Sequence, residues 1–453
     1  MVGGWLEGSS VTRASGYVFG TGNPRSLKWE NTRVRYGRSG SLNPLSVEHV
    51  IVVGGGAAGF FAAITCAEAR PGTRVTLLER GAHFLAKVRI SGGGRCNVTH
   101  ACFDARELTT CYPRGERALI GPYHLFQARE TVAWFESRGV KLKTERDGRM
   151  FPTTDSSETI IDCLMNAAKR AGVRSLANQG VAGVTKEPTG GFRLTLTTGE
   201  VMECDRLLLA TGGCRAAVAG ELAVSLGHTL EPPVPSLFTF HIETPWVRGL
   251  SGVSVADVTA SIPDAKLSER GALLLTHWGL SGPAILRLSA WGARQLHAVD
   301  YKFPLRVNWL PQMEAENMTA GLRALQEAQP ARLVINAPLA PLPARLWEQL
   351  VLATGISRET RWAALSRPAR HNLIQQLQRT EFPVTGKSLN KDEFVTCGGV
   401  TLNEVNFKTM ESKICPGLFF AGEVLDIDGI TGGINFQAAW TTGWLAGRSM
   451  AGK

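Results

Sequence analysis

Gly54, Gly56 and Gly59 stand between an apolar run, His49–Val53, and a helix-forming run, Ala57–Ala69. That spacing suits a pyrophosphate. The first glycine permits a tight turn, the second lets the backbone approach the phosphates, and the third lets helix and strand pack closely. Ala57 and Ala58 open the helix, whose first N–H groups and partial positive charge face an anion. A further apolar run, Arg74–Glu79, ends in a carboxylate placed to accept hydrogen bonds from an adenosine ribose, with Arg80 beside it. Strand, glycine turn, helix, strand and acid together form the context that gives this short pattern meaning. The context fits NAD or FAD equally.

Other residues could serve a flat ring. Lys87 to Thr99 reads KVRISGGGRCNVT. Its triple glycine tolerates φ > 0 and leaves no side chain to obstruct a planar ligand. Arg95 and Asn97 supply polar contacts at the loop tip, and Cys96 between them is a small residue more readily buried than nucleophilic. Residues 210–213 read ATGG after the apolar strand Arg206–Ala210. His277, in Thr276-His277-Trp278-Gly279, can donate or accept a proton near neutral pH, or be structural in a turn.

The set extends further. Residues 273–283 read LLLTHWGLSGP, and residues 398–437 read GGVTLNEVNFKTMESKICPGLFFAGEVLDIDGITGGINFQ. From Val47 onward the chain closely resembles the bacterial flavoprotein family that includes aminoacetone oxidases and 3-dehydro-bile-acid delta-4-reductases. The resemblance implies FAD, and a glutathione-reductase-like Rossmann domain interrupted by an inserted β-barrel and helical subdomain. The nucleotide end then falls to Gly54, Gly56, Ala57, Ala58, Gly59, Glu79, Arg80 and Val181. The flavin end falls to Lys87, Gly93, Gly94, Arg95, Cys96, Asn97, Thr211, Gly212, Gly213, Gly422, Glu423, Gly433, Ile434 and Asn435. In related folds an acid, commonly Asp after Ala-Gly, holds the ribityl chain. Here Glu423 occupies that place, with Asp426 and Asp428 close behind, and the three remain alternatives. Gly432 and Gly433 open the last helix, Ile434–Met450, whose positive end would favour the reduced anionic ring.

The elements that must position these residues follow from patterning. A βαβ start leads through helices around Pro122–Arg138 and Ser157–Ala171 to a meander over 181–209, with turns at Thr189-Gly190-Gly191 and Thr198-Gly199-Glu200. Three prolines between Glu231 and Pro235 suggest a boundary. Residues 236–311 read as strands, 313–329 and 343–380 as helices, and Gly417–Val424 as a buried strand. The expected organisation is a segment 1–46, a first part of the FAD domain over 47–235, an insert over 236–391, and the closing part of the FAD domain over 392–453. At 453 residues, more than one domain is expected.

Composition narrows the function class. The chain is 44% hydrophobic and 19% charged, ordinary for a globular protein. Its formal charge is +10, of which residues 1–46 supply +4 through six basic and two acidic residues. That segment, rich in Gly, Ser and Arg, reads as a disordered tail, a transit segment or an upstream start. The expected location is cytoplasmic, or organellar if the tail is a transit segment. Nine cysteines include no CxxC pair and no zinc spacing, which argues against a disulfide reductase and a metal site. Val50–Ala67 carries no charge, yet three successive glycines argue against a membrane helix. With no second GxGxxG at a strand–helix junction, electrons come from NAD(P)H docking over the flavin or from the substrate itself. A small organic substrate is expected, without nucleic acid or membrane. A flavin-dependent RNA-modifying enzyme and a non-catalytic flavin binder are the alternatives.

Overall fold

The computed structural model describes residues 48–214, 217–339, 341–388 and 395–453, so the expectations for the first 46 residues lie outside it. A parallel sheet carries the N-terminal strands. Strand β1, His49–Val53, pairs in parallel with β2, Arg74–Leu78, and with Arg206–Leu209. Arg174–Leu176 extends the sheet beyond β2, and Leu418–Phe420 extends it on the other side. Two short antiparallel strands, Val405–Asn406 and Glu411–Ser412, complete the seven-stranded sheet. Every residue of β1 is buried, which is why it reads as an unbroken apolar run rather than an alternation. The uncharged stretch Val50–Ala67 is thus a central strand, its turn and helix α1, Ala57–Ala69.

Helix α1 packs against the C-terminal helix Ile434–Met450. A Cβ on Gly443 would lie 2.6 Å from the Ala58 carbonyl oxygen, and one on Gly447 would lie 2.5 Å from that of Ala62. These matched contacts make the helices parallel and nearly touching. They also show that the C-terminal helix starts roughly two turns ahead of α1, its N-terminus projecting past that of α1. Two positive helix ends are thereby staggered along one edge of the sheet.

The chain leaves this domain through Leu230–Ser236 and returns through Val395–Val400, and the two segments pair antiparallel. The proline run is therefore a strand, bulged between Glu231 and Val234 where prolines cannot donate to the ladder. Between them six strands close a barrel: Phe240–Ile242, Gly279–Ser281, Leu267–Leu275, Ser254–Ile262, Phe303–Asn308 and Thr380–Lys387. Helices Ala315–Ala328, Ala344–Ala353 and Arg367–Gln378 cover it, burying Trp309, Trp347 and Trp362 in a core separate from that under the sheet. Two of the three indoles are anchored as well as packed: Trp309 Nε1 donates to Thr380 Oγ1 (2.7 Å) and Trp347 Nε1 to the Val334 carbonyl (2.8 Å).

Two details differ from the sequence reading. The helix expected around Pro122–Arg138 is two helices, Glu116–Leu125 and Ala128–Glu136, broken where Glu130 accepts the Gln127 N–H at 3.0 Å and starts the second. The loop expected at Ser91–Asn97 begins within helix α2, Ala86–Gly94, which loses helical geometry at Ser91, Gly92 and Gly93.

Candidate functional site

A cleft of about 660 Å³ runs along the ends of β1, β2 and Arg206–Leu209, between α2 and the C-terminal helix. At one end the three glycines of the β1–α1 turn each meet a different neighbour. Gly54 has φ +115°, and a Cβ there would lie 2.2 Å from the Ala210 carbonyl oxygen. A Cβ on Gly59 would lie 1.9 Å from the carbonyl oxygen of Gly54. Gly56 faces open space, with nothing within 4 Å. Gly59 thus closes the turn upon itself and Gly54 seats it against Ala210, while the middle glycine leaves its backbone bare to the cleft. Helix α1 has no side-chain cap and no acid in its first turn, so its leading N–H groups keep their charge for a ligand.

Glu79 lines the same end. Its oxygens accept the Gly55 N–H at 2.8 Å and the Gly81 N–H at 2.7 Å, which fixes the carboxylate at the mouth of the turn. A carboxylate oxygen can accept more than one hydrogen bond, so acceptor capacity remains for ribose hydroxyls. Arg80 also lines the cleft. Val181 is buried at the head of the strand Val181–Lys186, outside the lining.

At the other end, Lys87 and Gly93 of α2, Thr211, Gly212 and Gly213 after Arg206–Leu209, and Gly422, Glu423 and Asn435 all line the wall. The Thr211 hydroxyl is buried without a hydrogen-bond partner among the described residues. Lys87 Nζ pairs with Glu423 Oε2 at 2.7 Å, and Glu423 Oε1 accepts the Thr396 N–H at 2.8 Å. Of the three candidate carboxylates only Glu423 reaches the cleft. Asp426 accepts from Arg294 (3.0 Å) and from the Gly398 N–H (2.9 Å). Asp428 is fully buried against Arg114 and accepts from Ser236 Oγ at 2.6 Å. Burial pushes its carboxyl upward against the pull of Arg114.

The remaining flavin-end residues act from behind the wall. Gly94, Arg95, Cys96, Asn97, Gly433 and Ile434 are outside the lining. Asn97 is buried, and with its amide oriented to suit its neighbours it accepts the Gly433 N–H (2.9 Å) and donates to the Thr99 carbonyl (3.0 Å). That contact ties the GGGRCN loop to the start of the last helix. Arg95 lies over the Phe151 ring (4.0 Å) and pairs with Glu145 (2.7 Å). Burial pushes the Cys96 thiol up to about 12, which removes it as a thiolate nucleophile at neutral pH. Gly433 has φ +87°, and a Cβ there would strike the Thr99 backbone at 2.6 Å. His277 is exposed on a barrel turn, its ring 3.9 Å from that of Trp278, and does not line the cleft.

Several lining residues escaped the sequence reading, among them Ile90, Ile427, Phe436, Ala438 and Ala439. Helical spacing carried on from Asn435 reaches Ala438 and Ala439. Ile427 offers no such signal, because its placement depends on how residues 422–429 turn.

These residues suit a dinucleotide with a flat ring: bare glycine backbone, uncapped helix N–H groups, a fixed acid at one end and a partnerless buried hydroxyl midway. Comparison with known proteins agrees. A family model described as the HI0933-like protein Rossmann domain matches residues 48–449. A 3-dehydro-bile acid delta(4,6)-reductase from Clostridium scindens is 30% identical over 413 residues, covering 88% of this chain and 98% of the relative. A ribosomal RNA dihydrouridine synthase from Escherichia coli is 30% identical over 410 residues, covering 88% of this chain and 97% of the relative. Among solved structures, a 3-ketosteroid-delta4-(5alpha)-dehydrogenase from Rhodococcus jostii RHA1 aligns with TM-score 0.49 and 15% identity over 91% of this chain and 99% of that one.

Proposed function

Because the chain belongs to the HI0933-like Rossmann family, we propose that it reduces a carbon–carbon double bond conjugated to a carbonyl in a small organic substrate, with NAD(P)H as the electron donor. The chain is a FAD-dependent oxidoreductase. The observation that carries the finer reading is that two relatives, each aligned along almost their whole length, bear names with one chemistry in common. A delta(4,6)-reductase of a 3-dehydro steroid acid and a synthase of dihydrouridine both saturate an alkene conjugated to a carbonyl.

The residues divide the work by position. Gly56 and the first turn of α1 receive the pyrophosphate, and Glu79 the adenosine ribose. Thr211 and Glu423 would hold the ribityl chain, Glu423 kept in place by Lys87 and the Thr396 N–H. Gly93 would leave a ring face uncovered, and the start of Ile434–Met450 would supply positive potential to a bound flavin. Bound there, FAD supplies hydride transfer to the alkene carbon remote from the carbonyl. His277, exposed and outside the cleft lining, would serve as proton donor only with the insert closed over the cleft. A pH profile of turnover in His277→Asn tests it: a lost limb assigns the role, and an unchanged profile removes it.

The experiment that tests the function is anaerobic. NADH or NADPH should bleach the bound flavin, and an α,β-unsaturated ketone should restore its colour. Flavin that neither nicotinamide bleaches would overturn the donor. Bleached flavin restored only by ribosomal RNA would transfer the reading to a uridine substrate, which the E. coli relative favours.

A further inference from the structure

The segment from Gly422 to Gly429 has two faces, and they serve different parts of the molecule. Gly422, Glu423 and Ile427 line the cleft. Asp426 and Asp428 point the opposite way, onto the insert. Asp426 takes both oxygens to Arg294 (3.0 Å each) on the insert helix Ala293–Ala298. Asp428 is held by Arg114, whose Nη1 also donates to the carbonyl of Ala290 at the end of the insert helix Pro283–Trp291 (2.6 Å). Ser236, at the point where the chain enters the insert, donates to Asp428.

The strands that join insert to sheet are pressed onto the same segment. The Asp426 N–H donates to the Val400 carbonyl at 3.1 Å, and Gly398 donates to the Asp426 side chain. A Cβ on Gly399 would lie 2.5 Å from the Val424 carbonyl oxygen, so the two backbones are in direct contact. Val395, which begins the returning strand, lines the cleft. The contacts that seat the insert thus fall on the same short segment that carries Glu423 and Ile427.

We propose that Asp426 and Asp428 are positioning residues: they seat the insert through Arg294 and Arg114, and thereby hold Glu423 and Ile427 where the cofactor needs them. The inference rests on the reading of the cleft as the FAD site. Binding of FAD and seating of the insert are then linked, each strengthening the other by the same factor.

The test uses the full chain stripped of flavin, with FAD affinity read by fluorescence titration. Arg294→Gln removes an ion pair whose arginine is 43% exposed, and Asp426→Asn removes the charge without changing volume. Arg306→Gln, at an arginine of similar exposure (46%), breaks a pair with Glu381 between two barrel strands and serves as control. Arg294→Gln and Asp426→Asn should weaken FAD binding by about fivefold or more, with apoprotein melting no lower than in the control. In the wild type, FAD should slow amide exchange along Ala293–Ala298. FAD affinity in Arg294→Gln equal to that of Arg306→Gln, or exchange in that helix indifferent to FAD, would overturn the linkage and leave the FAD site standing. A wild type that binds no FAD would overturn both. If neither variant folds, the exchange measurement on the wild type decides alone.

Discussion

The two ends of the cleft are built on different logic. At the nucleotide end, the β1–α1 turn is closed on itself at Gly59 and rests against Ala210 at Gly54, and Glu79 is fixed by the N–H groups of Gly55 and Gly81. At the flavin end, each residue is held by something distant. Glu423 is held by Lys87 and Thr396, Gly433 by Asn97 and Thr99, and Asp428 by Arg114 and Ser236. The first end needs only one βαβ unit and the neighbouring strand Arg206–Leu209. The second exists only when loop, insert and last helix have come together.

The sharpest way to break that comparison is a pair of substitutions within the turn. Gly59→Ala places a methyl 1.9 Å from a backbone oxygen, with no flexible side chain to yield. It should abolish folding or lower the melting temperature by many degrees, a large effect of the kind seen when a close backbone approach is blocked. A Cβ on Gly56 meets nothing within 4 Å, so Gly56→Val should leave the apoprotein folded and melting as before, yet colourless. A yellow Gly56→Val protein would show that the pyrophosphate is elsewhere.

Next in size is Gly433→Ala. The methyl meets the Thr99 backbone and the residue must hold φ +87°, so a cost of roughly 1–3 kcal/mol in denaturant unfolding is expected. Because the obstruction is protein rather than ligand, that cost should appear with and without FAD. A variant as stable as wild type when stripped of flavin, but unable to bind it, would mean that the glycine is there for the ring instead.

The same contrast explains what the sequence reveals. The turn, α1 and the helix Ile434–Met450 were legible because their signals are local: glycine spacing, apolar periodicity and a glycine pair before a helix. The barrel insert was legible from the family resemblance and from a stretch of strands followed by helices. The separate duties of Glu423, Asp426 and Asp428 were not. All three are carboxylates within six residues, and only the turn of the backbone between them sends one to the cleft and two to the insert. Cys96 and Asn97 are likewise neighbours in a glycine-rich loop. One is a buried thiol with φ +59°, the other the brace for Gly433.

The smallest expected effect distinguishes the two regions by pH. His49, on β1, contacts the Glu203 carbonyl (2.7 Å) and Thr76 Oγ1 (3.0 Å). His228 lies between Glu404 (2.9 Å) and Ser412 Oγ (2.7 Å), beside the short edge strands of the C-terminal part. Burial lowers both from the ordinary value of 6.5, for His228 against the opposing pull of Glu404. Below pH 6.5 the unfolded chain therefore takes up protons that the folded chain resists. Stability rises with pH wherever the unfolded state binds more protons, so it should be full above 6.5 and decline as pH falls toward the folded values. Denaturant midpoints measured from pH 7.5 to 5.5 should show that decline. His49→Gln and His228→Gln will each lower the absolute stability, but the informative quantity is the slope, which each should flatten in part. The two flattenings should add, since the histidines share no partner. A slope unchanged in both variants would show that other groups carry the acid sensitivity, and that neither the central strand nor the edge strands are anchored by a neutral histidine.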